Sequence, residues 1–574
     1  MRSIAEAIRT TLVAGLSSLF ILIPNIVSAQ SEQPATQTGD AIRGTISSDI
    51  QNNAPNVATE LSSLAIAIEQ QLNQAITQAG SRALKNRISK IQEHYFALDF
   101  SPIWVGDKQI TKKGTIAIAA LFSANDDGLT VADYGTDALQ KMAGATDLAD
   151  LAKLEISIST SILSYAQHLN SGRLDPRKVN REIVIYPKVT SAETVLHALR
   201  TTSNLKAYLR LLAPHTPRYE RLRSALANYR RIAKFGGWTP LPEGEVLKPD
   251  MEDARIPALR TRLIESGDLN AMKAEATDTP NLFNEQLVAA TKLFQERHGL
   301  ELDGVIGPQT LFQFNVSVDQ RIRTMELNME RNRWLQNDFG PYHVFANLAD
   351  QVVKLVKNGK TIHAEVIQVG QPFHRTPVFS DEMERVELNP YWNVPVSIAV
   401  NEYLPKLKAN PGYLNKIGLQ VLRAGAPVSP FSVPWTSYGR GRFPVRLRQT
   451  PGPKNALGRV KFMFPNKYNI YMHDTPAKHR FNSASRFFSH GCLRLRDPLK
   501  MAEFILGAQG YDRKRIDKII ATKKHTVINL KEKIPVHVVY LTAWVNKDGS
   551  VNFRKDVYGR DKILIKALTK VRGL

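Results

Sequence analysis

The sequence has no means of forming an internal disulfide, because Cys492 is the single cysteine among its 574 residues. Beyond the first thirty residues it also has no long apolar run, so no later segment is expected to span a membrane. The histidines of the N-terminal half, such as His94 and His168, lack metal-ligand spacing, and we expect neither a metal ion nor another cofactor. Disulfide-rich, polytopic membrane and metal-dependent classes are therefore not indicated.

Acidic residues are comparatively scarce, with 53 aspartates and glutamates against 76 lysines and arginines, and the formal net charge is +23. Such a surface attracts polyanions, although a merely solvated basic surface explains the charge as well. Arg2, Arg9, the apolar stretch 11–23 and Val27-Ser28-Ala29 have the pattern of a secretory signal peptide over residues 1–29. We therefore expect export to a periplasm and an anionic envelope polymer, not nucleic acid, as the partner. The membrane is a partner only if the signal segment is retained.

A single thiol on an exported protein is open to oxidation, which favours a functional role for Cys492. His490 and Gly491 precede it directly, and His473 lies nineteen residues earlier, in a strand-like run. An imidazole can take up a thiol proton, and a glycine lets backbone amides approach an oxyanion. The pattern indicates a cysteine nucleophile, and the alternative is a small buried cysteine beside a turn.

His473, fifteen intervening residues, the run Ser489-His490-Gly491-Cys492 and then Arg494 resemble the signature of the L,D-transpeptidase family, whose catalytic domain is called YkuD. The runs 389–395 and 451–458 are similar to its large Gram-negative, YcbB-like branch. The resemblance implies that Cys492 forms a thioester with the third residue of a peptidoglycan tetrapeptide and releases D-Ala. A diaminopimelate side-chain amine of a second stem then resolves the thioester and gives a 3→3 cross-link.

The same resemblance assigns roles to the neighbouring residues. His473 is the expected base, oriented by a backbone carbonyl at Asp474 or a neighbour, and backbone amides around Gly491 and Cys492 are expected to bind the oxyanion. His490 is expected to tune the thiolate or shape the oxyanion site. Arg494, two residues after the nucleophile, falls on the same strand face, where it holds a donor carboxylate or forms a structural ion pair.

Three further residues are substrate-binding candidates. Ser489 belongs to the motif itself, and Trp392 and Tyr471 are candidate pocket walls that core packing would also explain.

Upstream of the motif, apolar residues recur at helical spacing from about residue 58, for example at Leu61, Leu64 and Ile68. This predicts a helical scaffold domain over 58–250 after a polar linker, 30–57. Residues 252–320 contain three apolar-periodic helices with turn signals between the last two, and they resemble a small three-helix peptidoglycan-binding domain. A domain that keeps this fold only as a spacer is the alternative.

Beyond residue 340, short β-branched runs and the hairpin signal Asn358-Gly359 predict antiparallel sheet. The family resemblance implies that this sheet belongs to a catalytic domain over 340–535, followed by a C-terminal extension over 536–574. Residues 402–445 interrupt the strands and resemble a capping subdomain, with an ordinary solvated loop as the alternative. The expected fold class is multidomain α+β, with a helical scaffold, a three-helix peptidoglycan-binding domain and a mainly antiparallel β catalytic domain with a capping insertion.

Peptidoglycan stem peptides and the sacculus are the expected partners, and penicillin-binding proteins are candidate protein partners. Three alternatives for the function stay open. Water resolves the thioester in an L,D-carboxypeptidase, and a lysine amine resolves it in a lipoprotein-attaching enzyme. The third is a non-catalytic wall-binding scaffold, against which the intact His473, His490, Gly491 and Cys492 argue.

Overall fold

The N-terminal part of the structure is a bundle of helices whose apolar stripes meet in one core. The structure, a computed structural model, describes residues 61–271 and 279–572, so the expected signal peptide and linker lie outside the described residues. The first helix is capped by the Ser62 hydroxyl and buries Leu64, Ile68 and Leu72, as their spacing predicts. The helices of this part are α1 (Ser63–Gln78), α2 (Arg82–Phe96), α3 (Lys112–Leu121), α4 (Thr136–Met142), α5 (Leu148–Ser171), α6 (Pro176–Val179), α7 (Ala192–Thr201), α8 (Leu205–Leu212) and α9 (Pro217–Lys234).

Three helices around a separate apolar core follow: α10 (Ile256–Glu265), α11 (Glu285–His298) and α12 (Pro308–Phe314). Gln295 fixes the loop between the last two, because its amide nitrogen donates to Asp303 at 2.7 Å and its carbonyl accepts the Gly304 N–H at 2.9 Å. The next helix, α13 (Val318–Trp334), belongs to neither domain alone. Met325 and Met329 pack in the helical core and Trp334 packs in the core of the catalytic domain.

The catalytic domain is a sheet that closes on itself. Its ring runs β5-β10-β11-β13-β4-β3-β2-β14, and the additional pairing between β14 and β5 completes a barrel of eight strands, most of them antiparallel neighbours. Two short strands, β1 and β12, pair onto β5 and β4. The strands of this sheet are β1 (Ile183–Val184), β2 (Tyr342–Asn347), β3 (Val352–Lys357), β4 (Lys360–Gly370), β5 (Val378–Leu388), β10 (Val460–Met463), β11 (Met472–His473), β12 (Phe487–Ser489), β13 (Leu493–Leu495) and β14 (Thr526–Val539).

The capping insertion is a small subdomain with its own sheet and core. Its strands, in the order β6-β9-β7-β8, are β6 (Trp392–Asn393), β7 (Leu419–Arg423), β8 (Ala426–Val428) and β9 (Arg446–Gln449). Its helical turns are α14 (Val396–Ile398), a π-helical turn at Ala399–Tyr403, α15 (Leu404–Ala409) and α16 (Tyr413–Ile417). The cap is therefore broader than the expected 402–445, because its buried cluster extends from Trp392 to Leu457.

The C-terminal segment is an integral part of the molecule. The boundary expected at residue 535 falls inside β14, and the hairpin of β15 (Ala543–Val545) and β16 (Val551–Phe553) packs against α9, α11 and α13. The remaining helices are α17 (Pro498–Leu506), α18 (Arg513–Ala521) and α19 (Arg560–Arg572). The expected multidomain α+β class is confirmed. None of the helices in the described ranges is long and apolar enough to cross a membrane.

Candidate active site

The candidate site lies on the outer face of the barrel, where β11 and β13 run side by side. Their parallel register sets Met472 beside Leu493 and His473 beside Arg494. Because side chains alternate along a strand, the buried pair faces the barrel core, and Tyr471, His473, Cys492 and Arg494 share the opposite face. From the strand spacing and rise, the Cα atoms of His473 and Cys492 are about 8 Å apart. The motif residues predicted from the sequence are thus brought together by strand pairing.

The thiol of Cys492 is partly accessible. Its Sγ lies 3.6 Å from the carbonyl oxygen of Asn469, and Tyr471 is a further neighbour of the sulfur. Burial raises the pKa of the thiol, and Tyr471, Arg494 and Lys461 oppose that rise. The thiol is therefore the dominant resting form at neutral pH, within a set of groups that favour the thiolate once the proton has left.

A hydrogen bond at Nδ1 fixes the tautomer of His473. Its Nδ1 donates to the backbone carbonyl of Asp474 at 2.5 Å, so Nε2 carries no proton in the neutral ring. Burial, followed by the charges of Arg494 and Lys461, lowers the pKa of His473 to about 3. The Asp474 carboxylate braces this turn, accepting the backbone N–H groups of Arg459 at 2.9 Å and Thr475 at 2.8 Å. His473 is consequently neutral, and its Nε2 is unprotonated.

Two cations flank the histidine on neighbouring strands. Arg494 is beside it on β13, and Lys461 is its cross-strand partner on β10. Arg494 contacts Gln368 at 3.5 Å, and among the described residues no carboxylate forms an ion pair with it. Lys461 lies 4.5 Å above the Tyr471 ring and 3.8 Å from Glu387. The face therefore presents positive charge around the sulfur, which favours a thiolate and an anionic substrate group.

Ser489 fixes the loop before the nucleophile through two hydrogen bonds. This buried hydroxyl donates to the Cys492 carbonyl at 2.6 Å and accepts the Gly491 N–H at 3.0 Å. The Gly491 N–H thus has a partner inside the loop, and the expectation that amides around Gly491 and Cys492 bind an oxyanion stays a prediction. Gly491 has φ +119°, a conformation that L side chains rarely adopt, and a Cβ there would meet Ile470 at 3.1 Å. Ser489 and Gly491 thus set the position of the sulfur.

His490 faces the cap. Its Nε2 is 2.6 Å from a carboxylate oxygen of Glu402 in the π-helical turn, and its ring is 4.7 Å from that of His374. Trp392 is 9% exposed in the core of the cap, 6.4 Å from Tyr403, and so it is placed among packing residues. Tyr471 touches the same cap core and the sulfur, so it connects the two.

Sequence reasoning missed Lys461, Glu402 and His374. The sequence does contain a signal for Lys461, which lies between Val460 and Phe462 in an otherwise apolar strand. A charged side chain is rare in such a strand unless it has a partner or a function. No local pattern singles out the other two, because the cap and the loop after β4 meet only in the fold.

Comparisons with known proteins agree with this geometry. Family matches cover residues 341–537 as the YkuD L,D-transpeptidase catalytic domain, 252–312 as "Putative peptidoglycan binding domain" and 89–226 as a scaffold domain. A Haemophilus influenzae protein named "Putative L,D-transpeptidase" is 34% identical over 220 residues, which is 38% of this chain and 44% of that protein. The chain thus spans less than half the length of that relative.

Two solved structures show lower similarity. The L,D-transpeptidase from Xylanimonas cellulosilytica is 14% identical, covers 52% of this chain and 98% of its own, and has a TM-score of 0.16. The Ldtfm–avibactam carbamoyl enzyme is 11% identical over 38% of this chain and 62% of its own, with a TM-score of 0.17. From the family matches, this chain carries an L,D-transpeptidase catalytic domain together with a peptidoglycan-binding domain.

Proposed function

We propose that the protein is a periplasmic enzyme that forms 3→3 cross-links between peptidoglycan stems through a Cys492 thioester. The observation that carries this proposal is the shared face on which Cys492, a neutral His473 and the cations Arg494 and Lys461 meet. A neutral base and a thiol held among positive charges are the requirements of acyl transfer through sulfur.

In the first half-reaction, Nε2 of His473 takes the thiol proton while Sγ attacks the carbonyl carbon of the third stem residue. The Tyr471 phenol is our candidate donor to the oxyanion, because it already reaches the sulfur and burial raises its pKa well above the usual value, which keeps it protonated. The carbon–nitrogen bond to the terminal D-Ala then breaks, and the leaving amine takes the proton from His473. The product is a thioester on Cys492.

In the second half-reaction, the side-chain amine of a second stem attacks the thioester, and His473 removes a proton from that amine. The carbon–sulfur bond breaks, an amide forms, and the sulfur recovers the proton. Arg494 is placed to hold a donor carboxylate, since its guanidinium has no acidic partner among the described residues. Penicillin-binding proteins, as enzymes that act on the same stems, are candidate partners.

The test is to incubate purified protein with tetrapeptide-containing muropeptides and to identify the products by mass spectrometry. The proposal expects D-Ala release and a dimer linked through two third-position residues, neither of which forms with the Cys492→Ala variant. Tripeptide as the sole product would make the protein an L,D-carboxypeptidase, and unchanged substrate would remove the proposal.

A further inference from the structure

A cleft lies beside the connection from β10 to β11, whose Asn469 carbonyl contacts the sulfur of Cys492. Its volume is about 530 Å³, within the range of ligand-binding clefts. One wall is the connection from β10 to β11, with Lys467 and Tyr468. The opposite wall comes from Tyr186, after β1, and from Gln336 and Phe339, after α13. The cleft is thus built jointly by the helical part, the catalytic barrel and the segment between them.

The lining combines flat aromatic surfaces with polar groups. Tyr186 is 65% exposed, and the guanidinium of Arg177 lies 4.7 Å from its ring centroid. The ring of Phe339 already has two partners, His537 at 4.2 Å and the Arg218 guanidinium at 5.0 Å, so Tyr186 is the ring with a surface left for a ligand. Sugars present C–H faces that stack on such rings and hydroxyl and acetamido groups that hydrogen-bond to side chains such as Gln336 and Asp381. An exposed ring beside hydrogen-bonding side chains is therefore a lining that suits an N-acetylated amino sugar.

The position of the cleft matches the length of a stem. Tyr468 lines the cleft, and the carbonyl of the adjacent residue, Asn469, contacts the sulfur of Cys492 at 3.6 Å. Two amino-acid residues and a lactyl group separate the attacked third residue from its sugar, a span of about 10 Å when extended. A stem whose third carbonyl is at the sulfur is therefore long enough for its sugar to reach this cleft.

We propose that the cleft binds the N-acetylated disaccharide that carries the donor stem, so that the enzyme selects stems still attached to their glycan. This proposal rests on the proposed function for its substrate, and it adds a binding site outside the catalytic machinery. Tyr186 is the residue that tests it, because it is exposed, lines the cleft and is not part of the catalytic face.

The first experiment measures kcat/KM for two donors, a disaccharide-tetrapeptide and the free tetrapeptide. Tyr186→Ala should lower kcat/KM for the disaccharide donor roughly fivefold, the loss expected for one stacked ring, and leave the free tetrapeptide unchanged. Tyr186→Phe should behave as the parent, and Phe235→Ala, at a residue 80% exposed outside the cleft, is the matched control. Equal effects of Tyr186→Ala on both donors, or no effect on either, would overturn the proposal.

A second experiment separates this site from the chemistry. Stem-free peptidoglycan glycan is titrated into the Cys492→Ala protein by calorimetry, with dextran, which lacks acetamido groups, as the control polymer. If the protein binds the glycan and Tyr186→Ala weakens this binding, the cleft is supported, even if the enzyme turns over no stem. Failure to turn over stems would remove only the proposed function. Absence of glycan binding, or equal binding of dextran, would overturn the cleft.

Discussion

The helical part contains a buried charged group, Glu155, and the catalytic face contains a half-buried one, Arg494, and the two differ in their hydrogen-bond partners. In the helical part, Glu155 accepts three successive backbone N–H groups from residues 103–105, at 2.7 to 3.0 Å, and also the Tyr95 hydroxyl. On the catalytic face, Arg494 has a single long contact to Gln368 and no ion pair among the described residues. A charge whose hydrogen bonds are filled by its own chain stabilises the fold, whereas one left unfilled on an open face is available to a substrate.

Two histidines repeat the same contrast. Burial lowers the pKa of both His168, in α5, and His473 to about 3. His168, in the helical part, is hydrogen-bonded through Nδ1 to Tyr134 at 3.0 Å, while His473 shares a sheet face with the thiol. The lowered pKa therefore accompanies a structural contact in one place and a candidate base in the other, and the neighbouring thiol makes the difference.

The largest expected effect is at the nucleophile. Cys492→Ala and Cys492→Ser should each abolish covalent acylation while leaving the fold intact, because the serine hydroxyl is far less acidic than a thiol. Intact-mass analysis after incubation with a carbapenem or a tetrapeptide donor measures the adduct. An adduct that still forms on Cys492→Ala would place the chemistry elsewhere in the chain.

The histidine comparison gives the second prediction. His473→Ala should slow acylation by a factor of about 10² to 10⁴, the usual loss when a base is removed, and a higher pH should restore part of the rate. His168→Gln is the matched control in the helical part, and it should lower the melting temperature without changing the acylation rate of the folded protein. Greater damage from His490→Ala than from His473→Ala would mean that the base is His490.

Much of this site was predictable from the sequence, because its central residues lie close together in the chain. The spacing of His473 and Cys492 is a property of two short strands and one loop, and helical periodicity identified the buried stripe of α1. The cap boundaries and the Glu402–His490 contact were not predictable, because they depend on packing between segments nearly ninety residues apart. Closure of the barrel by β14 depends on pairing across a still longer separation, for which alternation in one strand carries no information.

The third prediction concerns Glu155 and stability. Glu155→Gln should destabilise the protein by about 1–3 kcal/mol, because an amide group brings N–H donors to a site already filled with backbone N–H groups. Denaturant unfolding measures the change, and acylation of the folded variant should equal that of the parent. A loss of acylation at full stability would contradict the separation of structural and catalytic charges.

The fourth prediction is a pH profile. Because the pKa of the thiol is raised and that of His473 is about 3, free enzyme contains thiol and neutral imidazole at pH 6 to 8. Alkylation of Cys492 by iodoacetamide should therefore rise roughly tenfold per pH unit over this interval, since the thiolate is the reacting form. A rate that is flat from pH 5 to 8 would indicate a preformed thiolate–imidazolium pair instead.

The smallest expected effect is at the contact between the cap and the nucleophile loop. Glu402→Ala removes the carboxylate 2.6 Å from His490, a partly exposed pair whose loss is worth a few-fold at most. If this contact helps hold the cap over the thioester, its loss gives water access to the thioester. The ratio of tripeptide to 3→3 dimer should then rise roughly two- to fivefold, while acylation by a compact carbapenem changes little. Lys406→Ala, at an exposed position in the same cap helix region, is the matched control. An unchanged product ratio at a lower overall rate would show that the contact supports donor binding, and that the cap excludes water through its core contact with Tyr471.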